Sequence, residues 1–402
     1  MTIRVLGLAV TSSLVAAGAA RQGGPPRQGA GAPSGWASFT RGFDARVDSD
    51  SVVGASVLLM RNGRIVEHHE HGMADRERGQ PVNDRTIYHW ASITKTLTAI
   101  AIMQLRDRHR LSLDDRITTY IPELRLVHDA YGSMDDITIR MLMSHSAGFQ
   151  NPTWPYKAGK PWEPFEPTRW EQLVAMMPYQ EILFTPGSRY SYSNPAFIYL
   201  ARVIEALTGD SYESYIQKNI WTPLGMTRSY FRATPYHLAA DRSNNYTVVR
   251  DSTGHESVVA NGRDFDTGIT TPNGGWNAPL SDLALYLGFL TNAPQGDTAR
   301  RRTYDTVLPR SSLEEMWRPL HVTCDSADAT ASMGLSFFIL PRGDATLIGH
   351  TGHQAGFSAF IYLNPKTSAA VIAAFNTSND ASPNEQERHF VASREAALQL
   401  IR

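Results

Sequence analysis

The stretch YHWASITKTLTAIAI, residues 88–102, sets Ser92, Thr94 and Lys95 at the head of an apolar run. Its apolar spacing predicts one long helix over residues 92–107. Helix positions three apart share a face, with Cβ atoms about 5–6 Å apart, so the Ser92 hydroxyl and the Lys95 amine can meet. Serine is a weak nucleophile until a base takes its proton. A lysine in an apolar pocket can be that base, because burial disfavours the ammonium form. A helix N-terminus adds free N–H groups and a positive dipole end for a developing oxyanion. Two fixed residues, S-x-x-K, recur by chance in many chains of 402 residues and need company.

Two further stretches supply it. FTPGSRYSYSNPAFIYLA, residues 184–201, carries Tyr192 and Asn194 just before a predicted helix. A phenol near a lysine can take part in proton transfer, and an amide can hold an amine and a substrate amide together. Asn194 can equally cap that helix, with Pro195 as its first residue. IGHTGHQAGFSAFIYL, residues 348–363, has His350, Thr351 and Gly352 at the end of a predicted strand. Glycine there lets a substrate lie against the strand edge, with a following backbone N–H aimed at its carbonyl.

In this order, S-x-x-K, Y-x-N and H-T-G resemble the motifs of the serine β-lactamase and penicillin-binding protein superfamily, in its class C β-lactamase, D-alanyl-D-alanine carboxypeptidase and esterase branch. The resemblance runs from about Trp36 to the C-terminus, through blocks such as MLMSHSAGF and PNGGWNAPLSDLALYLGFL. It implies that Ser92 is acylated and that Lys95 and Tyr192 share its proton. Asn194 would orient Lys95 and the substrate amide. His350, Thr351, Gly352 and His353 would bind substrate, with the N–H groups of Ser92 and His353 as the oxyanion hole. No cofactor and no metal are implied. Two residues depart from the family pattern. His350 replaces a lysine whose charge holds a substrate carboxylate, and a histidine near its ordinary pKa of about 6.5 is mostly neutral at pH 7. His353 stands where glycine is usual, which predicts a crowded oxyanion edge. The expected activity is hydrolysis of small esters, amides or short peptides through an acyl-enzyme, as an esterase, a D-amino-acid peptidase or a weak β-lactamase. The alternative is a slowly acylated sensor or scaffold.

The rest of the chain fits a globular hydrolase. Its formal net charge is -1, with 42% hydrophobic and 19% charged residues, which gives no field favouring nucleic acid or a membrane surface. Residues 1–20 read as a signal peptide, ending in the small residues Ala17-Gly18-Ala19, and predict a periplasmic or secreted protein with no membrane span after cleavage. Residues 21–36 are rich in Gly and Pro and read as a flexible leader. Residues 37–402 then form the hydrolase domain. Asn62-Gly63 between two β-capable runs predicts a hairpin. The β-signal returns after residue 333, and the segment 385–401 reads as an amphipathic helix. The fold class expected is mixed α/β of the α+β type. A five-stranded-like antiparallel sheet, built from both ends of the chain and flanked by helices, faces a mostly helical subdomain over roughly residues 104–270. The cleft between them is the natural place for chemistry. The Pro- and Trp-rich residues 151–170 are expected to form a long ordered loop at its wall.

Four other features invite function and are read blandly. EHHEHG, residues 67–72, puts His69 and His71 on one strand face and His68 on the other, a poor zinc site. In SHSAGF, residues 144–149, the adjacent Ser and His side chains do not face each other, and the family resemblance implies a structural loop beside the cleft. ARRRT, residues 299–303, is expected to be a solvated basic loop, and the lone cysteine, Cys324, an incidental thiol in a polar loop.

Overall fold

A computed structural model describes residues 35–151, 167–292, 296–323, 331–379 and 388–402. Cys324 and most of the expected loop at 151–170 lie outside them. The sheet is assembled from the two ends of the chain. Strands β1 (Gly54–Arg61) and β2 (Arg64–Asp75) form the predicted hairpin, with Asn62 and Gly63 both at positive φ, 51° and 68°. That pair of left-handed residues is what a two-residue type I′ turn requires. Strands β3 (Phe338–Arg342), β4 (Ala345–Gln354), β5 (Phe357–Asn364) and β6 (Ala369–Phe375) follow near the C-terminus. The order is β2-β1-β6-β5-β4-β3, all antiparallel. Two-residue segments at Gln80–Pro81, Ser332–Met333 and His321–Val322 extend both edges, so among the described residues the sheet has nine strands, more than the five expected.

Both faces of the sheet's centre are covered, which explains why β1, β5 and β6 read as continuous apolar runs, whereas β2 is largely half-buried or exposed and polar. Ala55, Val57 and Leu59 of β1 and Val371, Ala373 and Phe375 of β6 face helices α1 (Trp36–Ser49) and the C-terminal Arg388–Gln399. Leu58 and Met60, and Ile372 and Ala374, face the other way. There they share one continuous core with α2 (Thr94–Asp107), α3 (Pro195–Thr208) and α4 (Leu280–Thr291). With the C-terminal helix as α5, the sheet lies between a terminal helix pair and the helical body. Among the described residues no helix is long and apolar enough to cross a membrane.

Several local expectations change. Ser92 does not begin the long helix: residues Ala91–Ile93 form a 3-10 turn and α2 starts at Thr94. The middle of the chain is not purely helical. Asn245–Arg250 and Glu256–Gly262 form a hairpin that Thr377–Asn379 joins in parallel. The basic run lies on a helix, Thr298–Val307, because the Asp297 side chain caps it by accepting the Arg300 N–H at 3.0 Å; the arginines are exposed on its surface.

Candidate active site

The turn bearing Ser92 is clamped from three sides. The strand before it, Ile87–His89, pairs with Asn277–Pro279. The Trp90 N–H donates to the Trp276 carbonyl at 2.8 Å, and the Trp90 indole N–H donates to the Ala278 carbonyl at 2.9 Å. Thr94 closes the turn, donating from Oγ1 to the Ala91 carbonyl at 2.6 Å and accepting the Trp276 N–H at 3.0 Å. Ala91 is thereby held at φ 45°, a left-handed conformation that a residue with a Cβ adopts only under local constraint. The end of β4 presses on this turn from the third side. A Cβ on Gly352 would lie 2.3 Å from the Trp90 carbonyl oxygen, so only glycine allows the approach.

The i,i+3 relation works as the sequence predicts. Lys95 Nζ lies 3.0 Å from Ser92 Oγ and donates to the Asn273 carbonyl at 2.8 Å. The lysine is fully buried, and burial lowers its pKa well below the ordinary amine value. The Tyr192 hydroxyl, brought from 100 residues away in sequence, also interacts with the Ser92 side chain. Burial of that hydroxyl raises its pKa, so it is a neutral phenol. Lys95 Nζ lies 4.8 Å from the Tyr192 ring centroid and 5.6 Å from that of Phe197. Ser92 Oγ thus stands between an amine that is readily uncharged and a phenol that keeps its proton.

The remaining predicted residues divide. Asn194 precedes α3 but neither caps it nor reaches Lys95. Its Nδ2 donates to Asn151 Oδ1 at 3.1 Å, and it is the Ser193 hydroxyl oxygen that accepts the Ala196 N–H, at 3.4 Å. The carbonyl of Asn273 takes the place at Lys95 that was expected of the Asn194 amide. His350 is buried on the cleft side of β4, its ring 6.4 Å from that of Tyr192. Its Nδ1 donates to the Thr351 carbonyl at 2.6 Å, and burial, aided by nearby Lys95, lowers its pKa to about 3. His350 is therefore uncharged. Thr351 is half-buried and contributes that carbonyl. His353 points to the opposite face of β4, where its ring packs edge-on against Phe390 of α5 at 4.4 Å. Its imidazole does not crowd the oxyanion edge, because alternate residues of a strand project to opposite sides.

Two participants escaped the sequence reading. One is the Asn273 carbonyl, a backbone atom that no residue pattern marks. The other is His145, in the loop after Ile139–Met143. Its ring is buried and stacks on Tyr192, centroids 4.3 Å apart and planes 23° from parallel. The SHSAGF segment contained the signal, but its partner lies 47 residues on. No group of three or more metal-ligating side chains that could hold an ion occurs among the described residues.

Residues 39–396 match the family model described as Beta-lactamase. The chain belongs to the Beta-lactamase family. Members of this family are serine hydrolases. Protein flp of Staphylococcus aureus is 25% identical over 336 residues, covering 83% of this chain and 61% of that protein. Esterase EstB of Burkholderia gladioli is 30% identical over 257 residues, 58% of this chain and 64% of EstB. The chain thus spans less than two thirds of the length of these curated relatives. Among solved structures, a D-stereospecific amidohydrolase from Streptomyces sp. superposes with a TM-score of 0.66 at 25% identity, over 86% of this chain and 94% of that one.

Proposed function

We propose that this Beta-lactamase family protein is a hydrolase that forms an acyl-enzyme on Ser92, acting on small uncharged esters or amides in preference to anionic β-lactams. The observation that carries the reading is the buried Lys95 amine 3.0 Å from Ser92 Oγ, with the Tyr192 phenol interacting with the same serine. With its pKa lowered by burial, Lys95 is available as a free amine. It takes the Ser92 proton as Oγ attacks the substrate carbonyl, and the oxyanion that forms is held by the N–H groups of Ser92 and His353. Tyr192, neutral and interacting with the nucleophile, hands a proton to the leaving alcohol or amine and is reprotonated by the Lys95 ammonium, because the esterified Ser92 oxygen has no proton to relay. Water then attacks the acyl-enzyme by the same route in reverse, releasing the acid and restoring the Ser92 hydroxyl.

The preference for uncharged substrates rests on His350. A ring with a pKa of about 3 offers no positive charge at neutral pH to a substrate carboxylate. The relatives support the direction: one is named an esterase and another a D-stereospecific amidohydrolase. Hydrolysis rates for a nitrophenyl ester, a D-alanyl peptide and a chromogenic cephalosporin test the reading. The ester or the peptide is expected to turn over fastest, and Ser92→Ala is expected to lose all three activities and all covalent labelling by mass spectrometry. Efficient cephalosporin turnover would refute the substrate preference, and labelling of the alanine variant would refute the nucleophile.

A further inference from the structure

His145 adjoins the reacting groups yet has no part in the steps above. Its backbone is at φ 55°, a conformation that non-glycine residues rarely adopt unless the surroundings impose it. From that position it holds the chain on both sides of Tyr192. Its carbonyl accepts the Ser191 N–H at 2.8 Å, and its ring Nδ1 accepts the Ser193 N–H at 3.0 Å. Tyr192 lies between these two bonds, and the imidazole lies flat on its ring. Phe197 and Tyr190 pack on the imidazole in turn, with centroids at 5.1 and 5.9 Å.

The protonation state fits this grip. Because Nδ1 accepts, the ring proton is on Nε2 and the imidazole is neutral. Burial together with the neighbouring Lys95 and His350 holds its pKa well below the usual histidine value. A protonated ring would set an Nδ1–H against the Ser193 N–H, donor against donor. His145 is thus a fixed acceptor and a flat surface. A core filler needs neither property, whereas a proton donor that must stay on one oxygen needs its ring plane and height defined. Misplacing a reacting group by about 1 Å costs about a hundredfold in rate.

We propose that His145 is the positioning residue of Tyr192: two hydrogen bonds bracketing the tyrosine and one ring stacked on it keep the phenol hydroxyl against Ser92. The inference rests on the role given to Tyr192 under Proposed function. It is tested with His145→Phe and His145→Asn, each alone and combined with Tyr192→Phe, reading acylation by a nitrophenyl ester as the mass of the intact protein grows, alongside thermal melting. His145→Phe keeps a ring but loses the acceptor, and should slow acylation about tenfold or more with little change in KM. His145→Asn offers an amide oxygen near the Nδ1 position and should recover most of that loss. In the Tyr192→Phe background, His145→Phe should cost nothing further. An equal loss in both backgrounds overturns the proposal, as does a rate that follows only the melting temperature with Asn no better than Phe. Should His145→Phe fail to fold, His145→Gln, which cannot reach the Ser193 N–H from the same place, takes its part with the same outcomes. A parental rate in Tyr192→Phe alone removes both the Tyr192 assignment and this inference, while acylation of Ser92, tested separately by Ser92→Ala, still stands.

Discussion

Histidines gather in two regions of this molecule and live under opposite rules. On β2, His69 Nε2 meets Asp44 Oδ1 at 2.6 Å and His71 Nε2 meets Asp48 Oδ1 at 2.7 Å, with both rings 27% exposed. Around the cleft the partners are uncharged. His350 has the Thr351 carbonyl, His145 the Ser193 N–H, and His89 the Asn277 side-chain oxygen at 2.9 Å. There burial lowers every pKa: His350 to about 3, His89 to about 4, and His145 well below its usual value. On β2 solvent lets imidazoles meet carboxylates as surface staples between β2 and α1. In the cleft, removing water without supplying a counter-charge makes them permanently neutral polar rings. The residues adjacent in sequence are the structural ones, and those dispersed along it surround the nucleophile.

The contrast is most exposed to a change at Lys95, whose charged form the same dry environment disfavours. Lys95→Met should slow acylation on the order of a thousandfold, since the base is lost. It should also raise the melting temperature by roughly a few degrees, because an amine no longer has to be buried. Retained acylation, or a lower melting temperature, would break the account of the cleft. The sign with pH follows: the unfolded chain binds a proton at Lys95 that the folded chain binds only at lower pH. The deficit in stability at neutral pH should therefore shrink as the pH rises toward 10.5, and the gain in Lys95→Met should shrink with it.

Gly352→Val comes next. Its Cβ would collide with the Trp90 carbonyl, so β4 must retreat from the Ser92 turn. Ester hydrolysis should fall about a hundredfold, and a variant of parental activity would show that the close approach is dispensable. A smaller effect is expected in acid. His350 and His89 have folded pKa values of about 3 and 4, against about 6.5 when unfolded. Between those limits the unfolded chain holds more protons, so stability should fall as the pH drops from about 6.5 toward 3. Urea melts at pH 7 and pH 4.5 would measure the loss, and His350→Gln should lessen it; an unchanged loss would show that the ring is not held neutral. The smallest effect belongs to β2. His71→Gln should cost about 0.5 kcal/mol or less and leave ester hydrolysis intact, because Asp48 is 68% exposed and solvent screens the pair. A larger cost would erase the distinction between the two regions.

What the chain announced in advance follows the same division between local and distant causes. The Asn62-Gly63 turn, the apolar runs of β5 and β6, and the approach of Lys95 to Ser92 all arise from neighbours a few residues apart, and all were legible. The hairpin at 245–262 was not, because most of its second strand is exposed and lacks an apolar alternation. The helix over the basic run was missed by ignoring Asp297 as its cap. At the site, Tyr192 was found by motif, whereas the direction of the Asn194 amide depends on Asn151, 43 residues earlier. His145 is not legible from its adjacent serines, since its hydrogen bonds run to Ser191 and Ser193.

The register of β1 against β6 joins Ala55 to Phe375 and Arg61 to Ala369, across more than 300 residues. β1 pairs with β2 at once, but its other edge must wait for more than 300 further residues before it can meet β6, and β4, which braces the nucleophile turn, is made almost as late. Contacts of such long sequence separation slow folding and lengthen the interval in which apolar strands stand unpaired. A truncation that removes β6 should therefore yield an inert, aggregation-prone chain rather than a weakened enzyme.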